Sequence, residues 1–193
     1  MSRMGDLVSH AYENGARIVN VSLASAEFSV WKEFRDAVAK YPDLLFVVAA
    51  GNDARDIDKK PVYPAAFNLD NLVVVTASNK AGDLVSSANW GRKSVDLIAP
   101  AKKLQVTDFD GQSKWVGGSS YAAARVSGLA ACLLSTKPDM SPWDLRNSLF
   151  AKARAVRGGR LVRVGLLPET RFSEEVACKQ SEKSSGLEKS VVG

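Results

Sequence analysis

The chain has 193 residues, enough for one sizeable core and few for two. Its 46% hydrophobic and 24% charged content is ordinary for a globular domain, and its longest apolar runs fall far short of the roughly 20 residues of a membrane-spanning helix. Most of the net charge of +5 lies after residue 150, where nine lysines and arginines face five acids, but no aromatic interleaving or recognition motif accompanies them, so neither a nucleic-acid nor a membrane partner is expected.

In chain order, Met4, Leu7, Val8 and Ala11 form a helical stripe closed by Asn14-Gly15. "RIVNVSL" (17–23) reads as a short β-branched strand, and Val30, Trp31, Phe34, Val38 and Tyr41 return to helical spacing. "LLFVVAA" (44–50) and "LVVVTAS" (72–78) are continuous apolar runs, the pattern of strands buried on both faces. Shorter extended pieces follow at "VDLIAP" and "KWVGG", then an apolar helix from about Ser120 and a last helix with Ser141 as N-cap and Pro142 in its first turn. The alternation predicts an α/β fold of three layers, a mostly parallel sheet flanked by helices. Residues 1–168 read as one globular unit and 169–193 as a polar tail with too few large apolar residues to fold. Cys132, in the apolar helix, reads as free and buried, and Cys178 lies in the tail. The opening residues lack the apolar h-region of a secretory signal.

The stretch "GGSSYAAARVSGLAACLLS" (117–135) places two hydroxyls at the mouth of a helix with almost no polar face. Such a helix is normally buried, and its N-terminus offers unpaired N–H groups and a positive dipole end. Ser119 or Ser120 there has two readings: an N-cap, or a nucleophile whose oxyanion meets those N–H donors.

Other segments weight the second. Gly-Ser-Ser-Tyr-Ala followed by Val-Ser-Gly resembles the nucleophile motif of the subtilisin-like serine proteases, where Gly-Thr-Ser-Met-Ala opens a central helix. "VVAAGND" resembles that family's oxyanion-hole segment, "GARIVNVSLAS" its substrate-pairing strand, and "YPAA" and "DLIAPA" two further stretches in the family's order. The resemblance covers roughly residues 5–165 and implies a partial subtilisin-like fold and a serine endopeptidase acting on peptide or protein substrates through a Ser120 acyl-enzyme. It implies Ser120 as nucleophile, Asn52 as oxyanion donor, Ser22, Leu23 and Ala24 as one wall of the substrate cleft, and Ala50 and Gly51 as the floor of its specificity pocket. Members often bind structural calcium, but no acidic cluster here has ligand spacing, so no metal or cofactor is assigned.

The family orders its triad Asp, His, Ser. Here the one histidine, His10, lies on the first predicted helix in no His-Gly-Thr setting, and no Asp-Ser-Gly or Asp-Thr-Gly precedes it. The expectation is therefore the C-terminal part of the catalytic domain, with the Asp and His segments supplied from elsewhere, by a missing N-terminal half or by association, or not at all. The last case would make the chain an inactive binding or structural module. Family residues are also replaced at Tyr121 (Met), Ala124 (Pro), and Ala24 and Ala101 (both Gly). A sheet edge left open beside "RIVNVSL" predicts marginal stability or self-association. An α/β-hydrolase is excluded, since Ala122 stands where its elbow needs glycine and no histidine follows Ser120.

Overall fold

The computed structural model describes residues 3–156 and 161–169. Helices α1 (Met4–Glu13) and α2 (Phe28–Lys40) alternate with strands β1 (Ile18–Val21) and β2 (Leu45–Ala49). Strands β3 (Leu72–Ser78) and β4 (Leu97–Pro100) follow, then β5 (Leu104–Thr107) and β6 (Ser113–Val116), helices α3 (Ser119–Thr136) and α4 (Pro142–Ala151), and the short β7 (Gly165–Leu166). Strands β1, β2, β3, β4 and β7 pair in that order, all parallel, while β5 and β6 form a separate antiparallel hairpin.

The unbroken apolar runs exist because both faces of the sheet are covered. Alternate residues of β2 serve opposite cores. Phe46 and Val48 pack with Trp31, Phe34 and Val38 of α2, whereas Leu45, Val47 and Ala49 pack with Ala123, Val126 and Leu129 of α3. The three-layer α/β arrangement follows from that division.

Helix α3 is less enclosed than its composition predicts. One face, including Ala122, Ala123, Val126 and Ala130, is buried, but Ala124, Gly128 and Ala131 are exposed. Small residues let this helix lie close against the strands, and nothing covers its outer flank among the described residues. Cys132, on that flank, is free and only half-buried. Arg125, the cation in the apolar run, donates to Pro100 O at 2.7 Å and pairs with Glu169 at 2.9 Å. Helix α4 starts as its sequence dictates: Ser141 Oγ accepts from Asp144 N–H at 3.1 Å, and Pro142 occupies the first turn. The sequence reading did not anticipate β5 or β7. The expectation of an unfolded tail, and Cys178 with it, falls outside the described residues after Glu169.

Among the described residues strand β1 pairs with β2 alone, so its other edge is open there. The α1 stripe lies beside that edge incompletely covered, with Val8 buried and Leu7 62% exposed. Between them is a cavity of about 330 Å³, lined by Met4, Leu7, Val8 and Phe34 together with β1 and the Ser22–Leu23 step that follows it.

Candidate active site

The C-terminal ends of β1 and β2 and the N-terminal end of α3 meet at one point, where the sequence-predicted residues gather. The α3 cap residue, Gly118, has φ of 126° and no side chain with which to satisfy the first helical amides. A carboxamide from another element does so instead. Asn52 Oδ1 accepts from Ser119 N–H at 2.9 Å. With its oxygen engaged, the carboxamide retains its Nδ2 hydrogens as donors, one residue from Ser120. The Ser120 N–H lies in the same first turn, ahead of the Tyr121 N–H that Gly118 O accepts at 3.1 Å. Gly118 must be glycine here: besides its positive φ, a Cβ would lie 3.2 Å from Asn52 Oδ1.

Ser120 and Ser22 clasp each other. Ser22 Oγ donates to Ser120 O at 3.0 Å, and Ser120 Oγ donates to Ser22 O at 3.3 Å. The Ser120 hydroxyl thus rests on a backbone carbonyl, with no histidine beside it. His10 is exposed on α1, its ring 3.4 and 3.5 Å from Asn14 Nδ2. Leu23, 61% exposed, lines the cavity beside Ser22, and the exposed Ala24 continues the chain beyond it. At Ser25 the chain turns to pair with Tyr63, through N–H to O contacts of 3.0 and 2.8 Å.

Ala50 and Gly51 are buried directly below Asn52. Gly51 takes φ of 95°, and its N–H donates to Ser119 Oγ at 3.1 Å. Ser119 therefore ties the segment after β2 to α3 and is not the N-cap that the sequence reading allowed, since the cap residue is Gly118. Ala101, one of the departures from the family pattern, is fully buried and accepts from Gly118 N–H at 2.9 Å. Its Cβ is accommodated at the base of the site.

Asn89 was not anticipated. It lies in the segment joining β3 to β4, fully buried, with its side chain bonded to the backbone on both sides of Asn52. No local signal marks it, because its partners lie more than thirty residues earlier in the chain. Among the described residues no group of three or more His, Cys, Asp or Glu side chains could hold a metal ion, and no helix is long and apolar enough to cross a membrane.

The parallel sheet thus brings a serine at the mouth of a central helix together with an asparagine from the neighbouring strand end. The family model for the subtilase family matches residues 1–178, and the chain belongs to that family. Among its relatives, subtilisin-like protease 2 of Plasmodium falciparum is 30% identical over 126 residues, 63% of this chain and 9% of that protein. Halolysin of Haloferax mediterranei is 33% identical over 149 residues, 77% of this chain and 27% of halolysin. Of solved structures, a cold-adapted subtilisin-like serine proteinase superimposes with a TM-score of 0.72 at 26% identity, covering 85% of this chain and 59% of that one. The prenylagaramide maturation protease PagA gives 0.71 at 25% identity, covering 90% and 66%. The chain thus spans well under half the length of these curated relatives and about three-fifths to two-thirds of these solved chains. The family is one of serine peptidases, which act on peptide or protein substrates.

Proposed function

We propose that this chain carries the nucleophile and oxyanion part of a subtilisin-like serine endopeptidase site. In this reading Ser120 Oγ attacks the scissile carbonyl carbon, and its proton passes to a base. The carbonyl oxygen becomes an oxyanion held by Asn52 Nδ2 and the Ser120 N–H at the positive end of α3. Collapse of the adduct expels the amine, which takes up the proton, and water then hydrolyses the acyl-serine. Extended substrate lies along Ser22, Leu23 and Ala24, with its side chain over Ala50 and Gly51. The observation that carries the reading is the Asn52 carboxamide seated on the first amide of α3.

A serine hydroxyl is a weak nucleophile without a base, and neither His10 nor any other described titratable group is hydrogen-bonded to Ser120 Oγ. The base must therefore come from polypeptide other than the described residues. The second reading, a non-catalytic member, is favoured by the hydroxyl resting on the Ser22 carbonyl. Labelling with a fluorophosphonate separates the two. Labelling of the wild-type chain but not of Ser120→Ala supports the peptidase, and no labelling, alone or with a candidate polypeptide bearing Asp and His, supports the second reading.

A further inference from the structure

We propose that Asn89 is the positioning residue for the oxyanion donor. The proposal deepens the peptidase reading and rests on it for its catalytic consequence.

The arch at residues 50–55 leaves the sheet at β2, and Asn52 sits near its crown. An arch of this kind ordinarily runs in solvent with its amides on water. Here Gly51 N–H reaches Ser119 Oγ at 3.1 Å and Ala54 N–H reaches Ser87 O at 2.8 Å, and one further side chain, Asn89, supplies four more ties from within. Asn89 Nδ2 donates to Ala50 O at 2.8 Å and to Asp53 Oδ2 at 3.3 Å. Its Oδ1 accepts from Asp53 N–H at 2.9 Å and Arg55 N–H at 3.2 Å. A carboxamide offers two donor hydrogens and two acceptor sites, and all four are used. The backbone adds to the clamp: Asn89 N–H donates to Gly51 O at 3.1 Å, while Thr76 Oγ1 donates to Asn89 O at 2.5 Å and so fixes Asn89 to β3.

Residues 50, 51, 53 and 55 are thereby held, and Asn52 lies among them with its own side chain free to reach α3. Gly51 belongs to the same fit, since a Cβ there would lie 2.5 Å from Asn89 Nδ2. Other side chains fail for stated reasons. Aspartate keeps the acceptors but turns an oxygen toward Ala50 O and the Asp53 carboxylate. Serine is too short to span from Ala50 to Arg55. Alanine leaves buried backbone groups unpaired, which costs about 1–3 kcal/mol each.

The test uses the 193-residue chain. Amide hydrogen exchange is followed by NMR in wild type, Asn89→Ser and Asn89→Ala, with Asn89→Asp as the isosteric variant should the smaller ones not fold. The expected result is that the Ser119 amide, which reports the Asn52 bond, and the Asp53 amide lose protection about tenfold or more while β3 amides keep theirs. Ser119 protection equal to wild type in a folded variant, or an equal loss throughout the sheet, overturns the proposal. Fluorophosphonate labelling supplies the second readout. Asn89→Ala slows it about tenfold or more, and this effect disappears in an Asn52→Ala background because the two act through one group. Slowing that multiplies in the double variant overturns the proposal. If wild type does not label, the peptidase reading fails and the exchange experiment still decides the position of Asn52.

Discussion

Replacing Asn52 by aspartate separates two jobs that one carboxamide performs. Its oxygen caps α3 by accepting from Ser119 N–H at 2.9 Å, and its nitrogen is the donor assigned to the oxyanion. Asn52→Ala removes both. Loss of a helix cap typically lowers stability by about 1 kcal/mol, within a range of 0.5–2. For a chain of this size that is a fall of roughly 2–4 °C in melting temperature. Asn52→Asp keeps the acceptor and places a negative charge at the positive end of α3, an arrangement worth roughly 0.3–1 kcal/mol. It should therefore melt at or slightly above wild type. Its chemistry should fail, because an ionised carboxylate donates no hydrogen bond and repels a developing oxyanion. Removing one such donor costs on the order of 10²–10³ in turnover, a magnitude measured on subtilisin itself and therefore carried over within the family. Circular dichroism melts and fluorophosphonate labelling rates on the three proteins check both halves. An aspartate variant that melts several degrees below wild type would refute the capping assignment, and one that labels at the wild-type rate would refute the donor assignment.

Burial pushes the Asp96 carboxyl above its ordinary range, against the pull of the Val74 N–H and the Arg163 and Arg146 guanidiniums. A carboxyl raised in the folded state contributes stability that is complete below its unfolded value and is lost as pH rises through the folded one. Urea midpoints of wild type and Asp96→Asn should therefore diverge as pH rises above the ordinary carboxylate range of about 4, with wild type declining more; a constant difference would refute this. Ala123→Leu, at a fully buried position where α3 meets the sheet, should lower stability by about 1–3 kcal/mol in denaturant unfolding, and an unchanged midpoint would show the contact to be loose. The open edge of β1 should make the chain self-associate at micromolar concentration, and Val19→Lys, beside the cavity, should reduce this in sedimentation analysis. A wild-type monomer with a sharp cooperative melt would count against that expectation.

The strands were legible where burial was two-sided. β3 spans residues 72–78 as read from its apolar run, because no solvent face interrupts the pattern. The helical stripes of α1 and α2 were legible for the complementary reason, although Val30 of the α2 stripe is 46% exposed while Ala37, outside it, is buried. β5 and β7 escaped because they are short: four residues with a half-exposed alternation, and two whose pairing depends on β4. The site was legible as motifs on separate segments, Ser120 on one and Asn52 on another. What joins them, Asn89 and the Ser119 hydroxyl, is tertiary hydrogen bonding with no periodicity or local propensity behind it.

The division of labour at residue 52 bears on how such a chain would change over generations. Folding selects for the oxygen end of that amide whether or not a peptide is ever cut. A lineage that had stopped cleaving would go on retaining asparagine there, and the sign of abandonment should be sought at Ser120, whose hydroxyl caps no helix amide and makes only the 3.3 Å bond to Ser22 O.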